Sequence, residues 1–156
     1  MRVLFVCTGN TCRSALAEAI AARLIAERAL RNLEITSAGT SAWDGAPASD
    51  GALLVGLERR LDLNGHRARQ ITRELVDESD LILAMGPHHV ERVHALGGAE
   101  KTHLLTDYAE RSTEGRPIVD PFGGGLEIYR STADELERTV ALAVERVASE
   151  RPPEGA

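Results

Sequence analysis

The sequence predicts a three-layer α/β fold, a parallel sheet with helices on both faces. Three observations carry this. The runs Val3-Leu4-Phe5-Val6 and Leu81-Ile82-Leu83-Ala84-Met85 are apolar without polar alternation, as in strands buried on both sides. Segments with apolar residues at helical spacing separate and follow such runs. The chain has 156 residues, which suits a single domain with a sizeable core.

Taken in order, residues 2–6 form the first predicted strand. Residues 14–30 form a helix whose broad apolar face joins Leu16, Ile20 and Leu24 to Ala17, Ala21 and Ile25. Leu33 to Ser37 alternates and reads as a second strand, with a turn at Gly39. Thr40 to Pro47 is loop and carries the sole tryptophan, Trp43. Ala48 to Leu61 reads as a helix with Leu53, Leu57 and Leu61 in register, against the grain of Gly51 and Gly56, and Asn64-Gly65 as its stop. Thr72 caps a short helix through Asp77. Leu81–Met85 is the third strand. Pro87 opens a helix to about Leu96 that Gly97-Gly98 ends.

Thr102 to Leu105 is the fourth strand. Residues 106–125 read mostly as loop, and a loop of that length inside a compact domain usually carries function. The last helix covers roughly 126–149, with Tyr129, Ala133, Leu136, Val140, Ala143 and Val147 on one face. The domain is thus expected over 1–150, with 151–156, opened by Arg151-Pro152-Pro153, as a flexible tail. Four strands of this kind fit a flavodoxin-like order, 2-1-3-4. The ligand crevice of such a sheet lies at the carboxyl end of the first strand.

Composition narrows the function classes. Apolar residues are 43% and charged residues 27%, ordinary for a globular protein. The net charge of −6 does not suggest nucleic acid as a partner. No apolar run approaches the ~20 residues of a membrane span, and the first residues lack a signal-peptide pattern. Two cysteines five positions apart are no disulfide framework, and a reactive thiol suits a reducing cytoplasm.

The chemistry centres on Cys7-Thr8-Gly9-Asn10-Thr11-Cys12-Arg13-Ser14, between the first strand and the first helix. The first amides of a helix have no intrahelical partners and, with the helix dipole, favour an anion. Arg13 adds a planar fork of donors that fits phosphate. The same positive field favours the thiolate of Cys7, its nucleophilic form. A thiolate facing a bound phosphate or other oxyanion, beside an arginine, is a phosphoryl-transfer site in outline. No metal or other cofactor is required, because Arg13 and the amides supply the field. His88 and His89 point apart on a helix and read as a solvated surface pair rather than metal ligands.

The Cys-x5-Arg-Ser loop directly after an N-terminal strand resembles the phosphate loop of the low-molecular-weight protein phosphatases. Ser37-Ala38-Gly39-Thr40, His66-Arg67-Ala68-Arg69-Gln70-Ile71 and Asp120-Pro121-Phe122 extend the likeness over nearly the whole chain. Cys-x5-Arg alone is a weak pattern; at position 7, followed about 110 residues later by Asp-Pro-aromatic, it is specific.

The resemblance implies a protein phosphatase, acting on a phosphorylated protein or peptide through a cysteinyl-phosphate. Cys7 is then the nucleophile, and Arg13 with the amides from Thr8 to Arg13 holds the equatorial oxygens. Asp120, by itself a turn former before proline, becomes the general acid and then the base. Phe122 lines the substrate slot or is a core aromatic. Ser14 donates to the thiolate, caps the helix, or does both. Asn10 ties the loop into shape and His66 supports it. Cys12 is inert packing, a resolving thiol that protects Cys7, or a relay in arsenate reduction.

For the substrate, tyrosine phosphatases of this family usually carry an apolar residue at position 11, where this chain has Thr11. The Cys7–Ser14 loop, Asp120-Pro121-Phe122-Gly123-Gly124 and the run from Ile128-Tyr129 to Asp134-Glu135-Leu136 resemble the bacterial protein-arginine phosphatases. Ser37–Thr40 with Trp43 looks instead like the tyrosine-type rim, where an aromatic packs on the substrate. Gly123 stands where many eukaryotic members have a second aromatic. The balance tips slightly to phosphoarginine, with phosphotyrosine as the alternative. An arsenate reductase and a non-catalytic phosphate-binding module are further readings. The first lacks a downstream cysteine pair, and Asp120 speaks against the second.

Overall fold

The computed structural model describes residues 1–150; the expected tail at 151–156 lies outside the described residues. Strands β1 (Arg2–Cys7), β2 (Glu34–Gly39), β3 (Leu81–Ala84) and β4 (Thr102–Leu104) form one parallel sheet in the order β2-β1-β3-β4, as the sequence predicts. β1 is central and pairs on both sides, which is why its run is apolar on both faces.

Its alternate side chains feed two cores. Val3, Phe5 and Cys7 join Leu81 and Leu83 under α1 (Arg13–Glu27), α2 (Asp50–Glu58), α5 (Leu105–Glu110) and α6 (Leu126–Glu150). Leu4 and Val6 join Ile82 and Ala84 under α3 (Arg73–Glu78) and α4 (Pro87–Ala95). The predicted apolar face of α6 is the buried one, and each large side chain there contributes ~1.5–3 kcal/mol.

Several boundaries differ from expectation for local reasons. α1 stops at Glu27, short of Leu30, because Ala29 turns left-handed (φ 51°) and Leu30 N–H bonds back to Ile25 O at 3.0 Å. The helix expected over 48–61 spans only Asp50–Glu58. Ser49 caps it through Ala52 N–H, and Arg60 is left-handed (φ 61°), so Leu61 N–H returns to Gly56 O. The expected Leu53-Leu57-Leu61 face is therefore not a face: Leu57 is 73% exposed, and the helix buries Ala52, Val55 and Gly56 instead. Asn64-Gly65 lies beyond the helix and does not end it.

The stretch 106–125 is not all loop. α5 follows β4 without a break and buries Leu105, Tyr108 and Ala109 in the larger core. Six residues are too few to show a helical period.

Candidate active site

The topology puts the 7–14 loop at the carboxyl end of β1, where the chain order reverses between β2 and β3. A small cleft of about 180 Å³ opens there, lined by Cys7, Thr8, Gly9 and Thr11 to Arg13 on the loop, with Asp120 and Phe122 opposite.

Cys7 is buried at the strand end. Its sulfur lies 2.8 Å from Ser14 Oγ and accepts from Asn10 N–H at 3.3 Å. The hydrogen-bond accounting gives the first contact a direction. Asn10 Nδ2 spends its two hydrogens on Ser14 Oγ (2.8 Å) and Ser37 Oγ (2.9 Å), and Ser37 in turn donates to Glu18. Ser14 Oγ thus accepts from Asn10 and has its own hydrogen for the sulfur, an arrangement that favours a thiolate. Ser14 is not the helix cap. Cys12 holds that position without a side-chain cap bond, and Ser14 is buried inside the first turn.

Asn10 holds the loop from three sides. It is fully buried and left-handed (φ 57°), a conformation asparagine tolerates better than most residues. Its Oδ1 accepts from Arg69 N–H at 3.0 Å, and its carbonyl lies 2.6 Å from His66 Nε2. Ser37–Thr40, expected at the substrate rim, lies against the back of the loop. Thr40 and Ser41 N–H bond Cys7 O and Thr8 O, and Ser37 meets Asn10. A Cβ on Gly39 would fall 2.4 Å from Thr8 O, so the loop closes on β2 only with glycine there.

Arg13 forms part of the wall and is almost wholly buried. Its Nη1 donates to Ile118 O at 3.0 Å, its Nη2 reaches Asp120 Oδ2 at 3.5 Å, and its buried Nε has no protein partner. The acid-bearing loop is fixed by Ile118 N–H to Met85 O at 2.8 Å. Asp120 Oδ1 accepts from Phe122 N–H at 3.0 Å, while the carboxylate remains half exposed at the cleft. Arg13 and Asp120, far apart in sequence, thus converge beside Cys7.

Phe122 lines the cleft and is 76% exposed, so it is no core aromatic. Thr11 is also in the wall. Trp43 is 83% exposed and does not line the cleft. Cys12 is a free, buried thiol with its sulfur 3.1 Å from Ser49 Oγ and 3.5 Å from Tyr129 Oη. Burial pushes the Tyr129 phenol up, which keeps it a donor.

Sequence reasoning missed four supporting residues. Ser49 was read inside a helix that it in fact caps, Tyr129 as core, and Arg69 as part of a likeness without a task. His89 is the plain correction. It is not a solvated partner of His88 but fully buried, with Nε2 2.8 Å from Thr8 Oγ1. No local signal in the sequence separates the two histidines; only the docking of α4 on the sheet does.

Fold and site together define an α/β protein with a strand–loop–helix oxyanion cradle around a buried cysteine. The profile of the low molecular weight phosphotyrosine protein phosphatases matches residues 2–152. A protein-arginine-phosphatase of Bacillus subtilis is 37% identical over 153 residues, covering 97% of this chain and 99% of that protein. The low molecular weight protein-tyrosine-phosphatase PtpB of Staphylococcus haemolyticus is 37% identical over 137 residues, 87% and 92% of the two chains. Among solved structures, a cysteine-to-serine mutant of the arginine phosphatase YwlE with a phosphorylated active-site serine superposes with a TM-score of 0.89. It shares 36% identity over 97% of this chain and 98% of that one. The chain belongs to the low molecular weight phosphotyrosine protein phosphatase family. It is therefore a protein phosphatase, a hydrolase.

Proposed function

We propose that this enzyme removes the phosphoryl group from phosphoarginine in proteins, by way of a cysteinyl-phosphate on Cys7. The observation that carries the mechanism is the convergence on one sulfur. Ser14 Oγ and Asn10 N–H aim at Cys7 at the base of a cleft walled by Arg13 and Asp120. Cys7 attacks phosphorus, the bond to the leaving nitrogen or oxygen breaks, and Asp120 gives that atom its proton. Water then attacks the cysteinyl-phosphate with Asp120 as base, and the thiolate leaves. Arg13 Nε and Nη2 with the loop amides hold the phosphoryl oxygens through both steps, and an oxygen at Nε satisfies a buried nitrogen of Arg13 that has no protein partner.

The choice of arginine rests on the wall. Thr11 offers a hydroxyl to a polar guanidine, where an apolar residue would suit an aromatic ring. Trp43, the aromatic that would mark a phosphotyrosine rim, is not in the wall. Identity does not choose, since an arginine and a tyrosine phosphatase both stand at 37%; phosphotyrosine therefore remains the second reading. The catalytic unit is a single domain over 1–150, acting in the cytoplasm, where two free thiols stay reduced.

Matched phosphoarginine and phosphotyrosine peptides test this. Wild type is expected to favour phosphoarginine, Cys7→Ser to lose turnover on both, and Thr11→Ile to swing kcat/KM toward phosphotyrosine by tenfold or so, about 1.4 kcal/mol. Wild-type preference for phosphotyrosine would overturn the substrate; turnover surviving Cys7→Ser would overturn the mechanism.

A further inference from the structure

His89 is fully buried in the first turn of α4, yet its Nδ1 has no hydrogen-bond partner. Its Nε2 lies 2.8 Å from the hydroxyl of Thr8, the first residue after Cys7 and part of the cleft wall. We propose that His89 is a positioning residue that turns the Thr8 hydroxyl into a hydrogen-bond donor for the phosphoryl group in the cleft.

The available hydrogens fix the direction of this contact. A neutral imidazole carries one N–H and one bare nitrogen. A buried N–H without an acceptor is the rarer and costlier defect, so the hydrogen belongs on Nε2 and Nδ1 keeps the lone pair. Nε2–H then donates to Thr8 Oγ1. Among the described residues Thr8 Oγ1 has no other hydrogen-bond partner. Its own hydrogen is thereby directed away from His89, toward the cleft. The reverse tautomer would make Thr8 donate to His89 and leave an acceptor facing an anionic ligand.

The surroundings hold the imidazole in the neutral form. His89 sits three residues after the Gly86 cap of α4, near the positive end of the helix, with its own N–H bonded to Gly86 O. The His88 ring leans on it at 3.8 Å. Burial first, then His88 and Arg13, push its pKa down to about 3; Asp120 opposes them. Gly86 leaves the space, since a Cβ there would crowd both imidazoles at 3.1 to 3.4 Å. The backbone of Thr8 is fixed independently, its carbonyl accepting from Ser41 N–H at 2.9 Å, so the hydroxyl is the part of Thr8 left to His89.

The inference rests on the phosphatase reading above, and its test is chosen to fail separately from it. The probes are inorganic phosphate binding by calorimetry, turnover of p-nitrophenyl phosphate, and the tautomer of His89 by nitrogen-15 NMR. The expected tautomer is Nε2–H. Thr8→Val should weaken phosphate binding and lower kcat by five- to twentyfold, and Thr8→Ser should restore most of both. His89→Leu should cost a similar factor in wild type and almost nothing further in Thr8→Val, because its effect runs through that hydroxyl.

A merely structural His89 would cost the same in both backgrounds, and that result would overturn the proposal. So would an Nδ1–H tautomer, or Thr8→Val within twofold of wild type. If His89→Leu does not fold, the tautomer in wild type and the Thr8 series still decide. If no substrate is turned over at all, the function above fails, while phosphate binding and the tautomer still judge this inference.

Discussion

At the scale of the residue, position matters more than type. Asn10, Ser14 and Ser37 are ordinary polar residues, but buried together they have fixed tasks: Asn10 donates to Ser14, which faces the sulfur of Cys7, while Ser37 takes Asn10's second hydrogen and passes its own to Glu18. Cys7, Arg13 and Asp120 were legible as a set because their spacing is tied to one fold. The partners that orient them were not, because those contacts cross between elements far apart in sequence. His89 is the sharpest case, reading as a surface histidine and folding into the core. Its burial has a consequence for stability. The folded protein keeps His89 neutral down to about pH 3, with burial the main cause, whereas the unfolded chain takes up its proton near pH 6.5. Stability should therefore be full above about pH 6.5 and fall as pH drops toward 3, at up to ~1.4 kcal/mol per pH unit from this group. Denaturant unfolding of wild type and His89→Asn between pH 4.5 and 6.5 checks this, with the variant expected to show the shallower slope. Equal slopes would mean that His89 is protonated in the fold.

At the scale of the element, strands and long helices followed from pattern and the short α3 from its Thr72 cap, while α5 and the bounds of α2 did not. β1 and β3 announced themselves as unbroken apolar runs, and α6 as a long helix with one apolar face. α5 is too short to show a period, and α2 was overread because its leucines happen to fall four apart. The true face of α2 is made of small residues. Gly51 lets α2 approach α6 so closely that a Cβ there would fall 2.5 Å from the Tyr129 ring. That closeness serves the site, since Ser49 at the cap of α2 and Tyr129 on α6 together hold the Cys12 thiol. Gly51→Ala should destabilise the protein by roughly 1–3 kcal/mol through overpacking, despite alanine's better helix propensity. A midpoint of denaturation equal to wild type's would show that the two helices part at little cost.

At the scale of the molecule, the sheet order does the assembling. With β1 central and the chain reversing beside it, one strand end receives the 7–14 loop, the 37–40 segment and the loop carrying Asp120. The fold and the central residues were legible for the same reason: a parallel sheet buried on both faces leaves few topologies, and its crevice falls at a known edge. What the sequence left open was substrate preference, which turns on which side chains face the cleft. Thr11 and Phe122 do, and Trp43 does not. In the proposed reaction Cys7 carries the phosphoryl group between the two steps. Its most direct test is to quench the enzyme during turnover of a phosphoarginine peptide and map the phosphorylated residue by mass spectrometry. Phosphate is expected on Cys7, more of it in Asp120→Asn given p-nitrophenyl phosphate, and none in Cys7→Ala. Phosphate on another residue, or turnover that persists in Cys7→Ala, would contradict it.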